Sequence, residues 1–352
     1  MTSRRGFIQH LAALAAPPLP LGWLRYADPA TEGEVFRVTD PKTGSILPAL
    51  PARAITRRSN LLLFAQQLEG RWAPAVMDLN KGGIRVIATP EGLAPGSLSI
   101  SADDRNALYF SGEGLESSSL GGGRSQLLYK LRDGWKPVSA VAPTMDGTAL
   151  WFVESDGKTW ALRRLRAPRW IADTIHEAAA ALSHPDPNPR RAQVICLGAG
   201  GELFSVTFDG KPNRVETQGR VIDAGWSPDG NSIEYLLDPA EPGRLVELRE
   251  RALDERTDKL IAKTSQFACF ARNANSSVFV GASRSKASAN ILLLLRKTRR
   301  EFTLCEHGAS DPAQVNCRFT PDSQKVIFQT DRDGGPAIYL VNVEKLVERT
   351  ES

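Results

Sequence analysis

Histidine and cysteine are scarce, with four of each in 352 residues, and no two cysteines stand at C-x-x-C spacing. A structural zinc needs clustered Cys or His, so that class is excluded. Cys196, Cys269 and Cys317 each sit in or beside an apolar segment, where a thiol serves as a small buried hydrophobe. Long hydrophobic runs are also missing. A spanning helix needs roughly 20 apolar residues, and the Ala/Leu run near the N-terminus falls short of that. No G-x-S-x-G elbow, Gly-rich phosphate loop or H-E-x-x-H is present, which removes the commonest hydrolase, nucleotide and zinc-peptidase signatures. Charge of one sign is in small excess, +4, and the basic pairs Arg163-Arg164, Arg190-Arg191 and Arg299-Arg300 are scattered. A nucleic-acid binder carries a basic stripe interleaved with aromatics, so no nucleic-acid partner is expected.

What the chain does have is turns. Asn60, Asp103, Asp146, Asp186, Asp229, Asn275 and Asp322 recur at about 40 to about 47 residues, within the roughly 40–50 expected of a propeller blade. An apolar strand follows each, as in Ala107 to Phe110, Ala149 to Phe152 and Val326 to Phe328. Proline and Asp/Ser in these turns fix φ and cap the backbone, and short strands between such turns make an antiparallel meander. The expected fold is all-β, a seven-bladed β-propeller of four-stranded antiparallel blades, with residues 35–38 supplying a strand to ring closure. With 41% hydrophobic residues, one large domain is expected over residues 29–348. Glu113 to Ser125 reads as a flexible hairpin loop, and Ile171 to Leu182 as a helix capped by Asp173-Thr174.

Residues 1–28 read as a twin-arginine export signal and linker, from Arg4-Arg5-Gly6-Phe7-Ile8 and the Ala/Leu run after it. Export to the periplasm or beyond is the expected localisation, with the signal cleaved or kept as a tether. A protein exported folded acquires its fold in a reducing cytosol, so no extensive disulfide framework is expected.

Trp226-Ser227-Pro228-Asp229-Gly230 and Phe319-Thr320-Pro321-Asp322-Ser323 resemble the aromatic-Ser-Pro-Asp-Gly motif of the TolB-like, WD40-like propeller repeat. Within that group the layout resembles the oligogalacturonate lyases, metal-dependent seven-bladed enzymes that cleave short pectin fragments. The resemblance implies metal-binding histidines three residues before the aromatic in one blade, and five and three residues before it in the last. Those positions hold Asp223, Gln314 and Asn316, so none of the three histidines survives. His307 lies in a loop that resembles one preceding the metal segment, without being a ligand there.

Asp223, Gln314, Asn316 and His307 are therefore the channel-lining candidates, and no catalytic residue is assigned. Oxygen donors from Asp223, Gln314 and Asn316 suit a hard cation, so a divalent ion (Ca or Mn) is the cofactor to test. The plainer reading is polar groups facing a wet channel. Two functions stay open. One is a propeller that binds a glycan, such as an oligouronide, or a periplasmic protein at the channel without catalysis. The other is a lyase working by β-elimination with altered, oxygen-rich ligands.

Overall fold

The computed structural model describes residues 19–351 apart from 240, 242, 254, 256, 257 and 286; the twin-arginine segment lies outside the described residues. Its seven sheets are all antiparallel. Blade one runs from Ser45–Ile46 to Gly82–Val86, blade two from Ser99–Ile100 to Gln126–Lys130, and blade three from Ala142–Pro143 to Ile171–Ala178. Blade four runs from Leu182–Pro187 to Pro212–Val215, blade five from Gly219–Trp226 to Asp258–Lys263, and blade six from Phe267–Arg272 to Arg300–Glu306. Blade seven takes Arg318–Phe319, Lys325–Thr330 and Ala337–Asn342 from the C-terminal end, and completes itself with Glu34–Arg37 from the N-terminal end. Phe36 pairs with Leu340 and Arg37 with Tyr339, so the ring is closed by the two ends of the chain. A fifth strand, Leu24–Ala27, pairs outside Glu34–Arg37, on the N-terminal side of residue 29.

One local device repeats in every blade. The residue opening the inner turn donates its N–H to the carbonyl five residues on: Thr56, Ser101, Thr144, Asn188, Ser227, Asn273 and Thr320. Its side chain caps the same turn, as where Ser227 Oγ accepts from Ser232 N at 3.0 Å and donates to Asp229 Oδ1 at 2.6 Å. In six blades the fourth turn residue takes a positive φ, and glycine fills it at Gly147 and Gly230, where no Cβ opposes the left-handed conformation. The sequence repeat is thus a repeat of turn chemistry.

Each sheet is apolar on both faces, because each packs between two others. Seven buried clusters result, one in each seam between adjacent blades. The first strands of blades two through seven lie side by side in succession, which makes them the innermost.

Three expectations are corrected. Ile171–Ala178 is a strand, the outer one of blade three, and Leu182 already opens blade four. Pairing with Trp160–Arg166 and the Arg164–Asp173 ion pair at 3.1 Å override the helical reading of that alanine-rich stretch. Within Glu113 to Ser125, Gly114–Ser119 is a strand between Asn106–Phe110 and Gln126–Lys130, leaving a loop at 120–125. Tyr109 Oη meets Ser118 Oγ at 2.6 Å and Ser125 Oγ at 2.8 Å, which fixes those serines. In blade four the turn opens at Asn188, and Asp186 is a strand residue instead of a turn anchor. Among the described residues no helix is long and apolar enough to cross a membrane.

Candidate functional site

Counting back four residues from each turn opener gives equivalent inner positions: Ala52, Ser97, Ala140, His184, Asp223, Cys269 and Asn316. Blades one to three carry small groups there, of which Ser97 is bonded to Ala94 O and Phe110 N beside its own blade; blades four to seven carry larger nitrogen, oxygen and sulfur groups.

Most of these donors are turned into the seam with the next blade. Asp223, 6% exposed, accepts from Ala224 N at 2.9 Å and from Phe270 N of blade six at 3.1 Å. Burial pushes its carboxyl above the usual range, against His184, the Phe270 N–H and Arg272, which all favour the anion. Two residues after His184, Asp186 Oδ2 accepts from Trp226 N of blade five, and burial raises its carboxyl to about 6. Cys269 Sγ lies 3.8 Å from Cys317 Sγ of blade seven; the shared contact lowers the Cys269 thiol and lifts that of Cys317.

Asn316 Nδ2 donates to Pro48 O at 2.6 Å, and Asn316 Oδ1 accepts from Arg318 Nη2 at 2.7 Å. Arg318, 5% exposed, also donates to Ala52 O at 3.0 Å and to Pro48 O. Its Nε has no hydrogen-bond partner among the described residues, and burial lowers the guanidinium to about 10. Between blades five and six, fully buried Glu234 holds Arg272 Nε at 2.5 Å and Arg296 Nη1 at 3.4 Å, while Arg272 Nη1 donates to Trp226 O. Blades five and six are bridged by these charges.

Gln314 is placed elsewhere. It is exposed, in the single turn Pro312–Gln314, and lines a cavity of about 280 Å³ with Ser310, Asp311, Gln329 and Asp331. Neither Asp223 nor Asn316 lines that cavity. His307 is fully buried: its Nε2–H donates to Ser283 O at 2.9 Å, and its Nδ1 accepts from Ala309 N at 3.0 Å. Burial lowers its pKa, and both nitrogens are used, so it is a neutral packing group between blades six and seven. Sequence reasoning passed over Asp186, which it took for a turn residue, and Arg318, whose one signal was a full charge among inner-strand apolar neighbours.

The three expected metal positions do not suit a divalent cation. Both Asp223 oxygens already accept backbone N–H groups, and the Asn316 oxygen faces a guanidinium that would repel a second cation. Gln314 opens on a separate cavity. Among the described residues no group of three His, Cys, Asp or Glu side chains is arranged to hold a metal ion.

Seven antiparallel sheets of four or five strands around an axis, closed by the chain ends, define a β-propeller. No protein-family model matches the chain. The oligogalacturonide lyase of Pectobacterium atrosepticum is 22% identical, spanning 92% of this chain and 97% of its own. A solved oligogalacturonate lyase in complex with manganese superimposes with a TM-score of 0.84 at 19% identity, covering 92% of this chain and 96% of that one. TolB of Acinetobacter baumannii gives a TM-score of 0.51 at 14% identity, over 70% and 64%. The fold is that of a TolB-like propeller of the oligogalacturonate lyase shape.

Proposed function

We propose that this chain is an exported binding propeller that holds a glycan at one mouth of its channel without metal-dependent cleavage. The observation that carries this reading is the Arg318 guanidinium on the Asn316 oxygen, a fixed positive charge where the resemblance calls for a metal ligand. Lyase chemistry on a uronate needs a cation to gather the carboxylate and acidify the neighbouring C–H, plus a base. Two of the residues that would hold that cation, Asp223 and Asn316, are engaged in holding blades together, and Gln314 lies apart from them.

The cavity beside Gln314 joins apolar walls from Ile46, Ala309 and Pro336 to polar groups, which suits the apolar face and the hydroxyls of a sugar ring. Gln314 offers a side-chain amide and Asp311 its second carboxylate oxygen, while the Asp331 carboxylate, held by Ser310, adds negative charge. Two carboxylates oppose a uronate and favour a neutral sugar. Export by Arg4 and Arg5 places that sugar in the periplasm or beyond; replacing both with Lys should retain the protein in the cytosol.

Calorimetric titration of the purified chain with digalacturonate and with its carboxyl-reduced counterpart, each with and without Mn or Ca, tests the reading. The expected result is binding of the reduced disaccharide, indifferent to chelator, with no unsaturated product from either sugar. Cation-dependent release of unsaturated uronate would establish the lyase alternative, which the match over 92% of the chain to a lyase keeps in view. Failure of either sugar to bind would point to a protein partner instead.

A further inference from the structure

Of the four inter-blade contacts made from the polar half of the ring, the seam between blades six and seven is joined by two sulfurs. We propose that Cys269 and Cys317 are an oxidisable dithiol that can join these two blades covalently at the axis. The geometry carries this. Their Sγ atoms stand 3.8 Å apart, Cys269 on the inner strand Phe267–Arg272 and Cys317 immediately before the inner strand Arg318–Phe319 that lies beside it. Forming a disulfide, S–S about 2.05 Å, requires less than about 2 Å of approach. The two sites differ in access: Cys269 is 7% exposed and Cys317 is fully buried. A small oxidant therefore meets Cys269 first, and Cys317 is the resolving thiol.

With a hydroperoxide as oxidant the chemistry balances. The Cys269 sulfur attacks the terminal peroxide oxygen; the O–O bond breaks, leaving a sulfenic acid on Cys269 and releasing an alcohol, or water from hydrogen peroxide. The Cys317 sulfur then attacks the Cys269 sulfur, the S–O bond breaks, and the hydroxyl leaves as water with the Cys317 proton. Two thiols lose two electrons and two protons to the peroxide. Cys196 and Cys305 are as buried as Cys317, and among the described contacts neither meets another sulfur, so they serve as controls within the same chain.

The cross-link closes the loop from residue 269 to 317, which restricts the unfolded chain and should raise Tm by about 5 °C. The test treats the full chain with hydrogen peroxide, denatures it and alkylates it. The expected product takes up alkyl groups at Cys196 and Cys305 alone, is lighter by two hydrogens, and gives one peptide pair joined through Cys269 and Cys317. A reductant reverses both the mass change and the Tm rise. In Cys317→Ser, dimedone should label Cys269; in Cys269→Ser, it should leave Cys317 unlabelled. Four free thiols after peroxide, or oxidation of Cys196 or Cys305 at the same rate, would overturn the proposal. The wild-type mapping decides this even if a serine variant fails to fold.

Discussion

Asp186 and Trp226 are joined twice: the carboxylate of Asp186 accepts the Trp226 backbone N–H at 3.0 Å, and its carbonyl accepts the indole Nε1–H at 2.8 Å. The aromatic of the repeat motif is thereby fixed to the preceding blade, and a carboxyl is drawn into the seam. A native value of about 6 against about 3.9 unfolded means that the folded chain binds the extra proton between those values. Stability from this group is fully present below about pH 4 and is lost as pH rises through 6.

Asp186→Asn keeps an acceptor for the Trp226 N–H and removes the titration. It should raise stability at pH 7.5 by up to about 2 kcal/mol and change little at pH 4. Thermal unfolding at both pH values checks this. An equal loss at both would mean that the carboxylate itself is required.

The turn aspartates act in the opposite sense. Hydrogen bonds from Thr144 and from Ser227 hold the Asp146 and Asp229 carboxyls below the usual range. Their contribution is present above about pH 4 and is lost as pH falls below that value. Ser227→Ala removes the hydroxyl that both caps the turn and holds Asp229. It should cost about 1 kcal/mol at pH 7, and the loss should shrink on acidification. Denaturant midpoints at pH 7 and pH 3 would read this out.

Asp223 ties blade five to blade six. With both oxygens accepting backbone N–H groups, Asp223→Ala leaves the Phe270 donor unpaired in a buried seam, a cost of about 1–3 kcal/mol. Asp223→Asn should cost less, because one oxygen survives. Equal midpoints for wild type and Asp223→Ala in urea would contradict the seam role.

The parts legible in the sequence are those written in local chemistry. Ser/Thr-x-Asp turns and the apolar strand after each need no distant partner, so the blade count and the closing strand at residues 35–38 could be read directly. The alanine-rich stretch at 171–182 could not, because its strand state depends on pairing with Trp160–Arg166. The site was half legible. The spacing placed Asp223 and Asn316 at equivalent inner positions, but an inner strand's side chains turn toward the neighbouring blade. That neighbour is about 45 residues away in sequence. Gln314 illustrates the limit: it sits in a helical turn, separated from the strand Arg318–Phe319 by Asn316 in a left-handed conformation, so period-2 reasoning no longer applies to it.

The same geometry predicts the behaviour toward metals. Placing histidines at 223, 314 and 316 should not create a tight Mn site, since position 314 opens on a different cavity and Arg318 stays beside position 316. Elemental analysis of the purified wild type should find substoichiometric Mn and Zn. Stoichiometric metal lost on Asp223→Ala would show that the carboxylate leaves the seam to bind a cation.

Ring closure gives the last prediction. Phe36, 7% exposed, packs with Leu340 and Ile327 in the seam between blades seven and one, and its ring centroid lies 5.9 Å from that of Trp23. Its strand is the element from the other end of the chain that pairs directly with Ala337–Asn342, so it stabilises the ring only once all seven blades are in place. Phe36→Ala should cost about 3–5 kcal/mol by cavity formation. Leu294, 0% exposed in the seam between blades five and six, provides the comparison at a site remote from closure. Leu294→Ala should cost about 2–5 kcal/mol. In native-state hydrogen exchange, Phe36→Ala should expose the amides of Ala337–Asn342 and of the Ser45–Ile46 edge, and leave blade four protected. Uniform loss of protection in both variants would mean that the ring opens as one unit and that the closing strand is no weaker than any other seam.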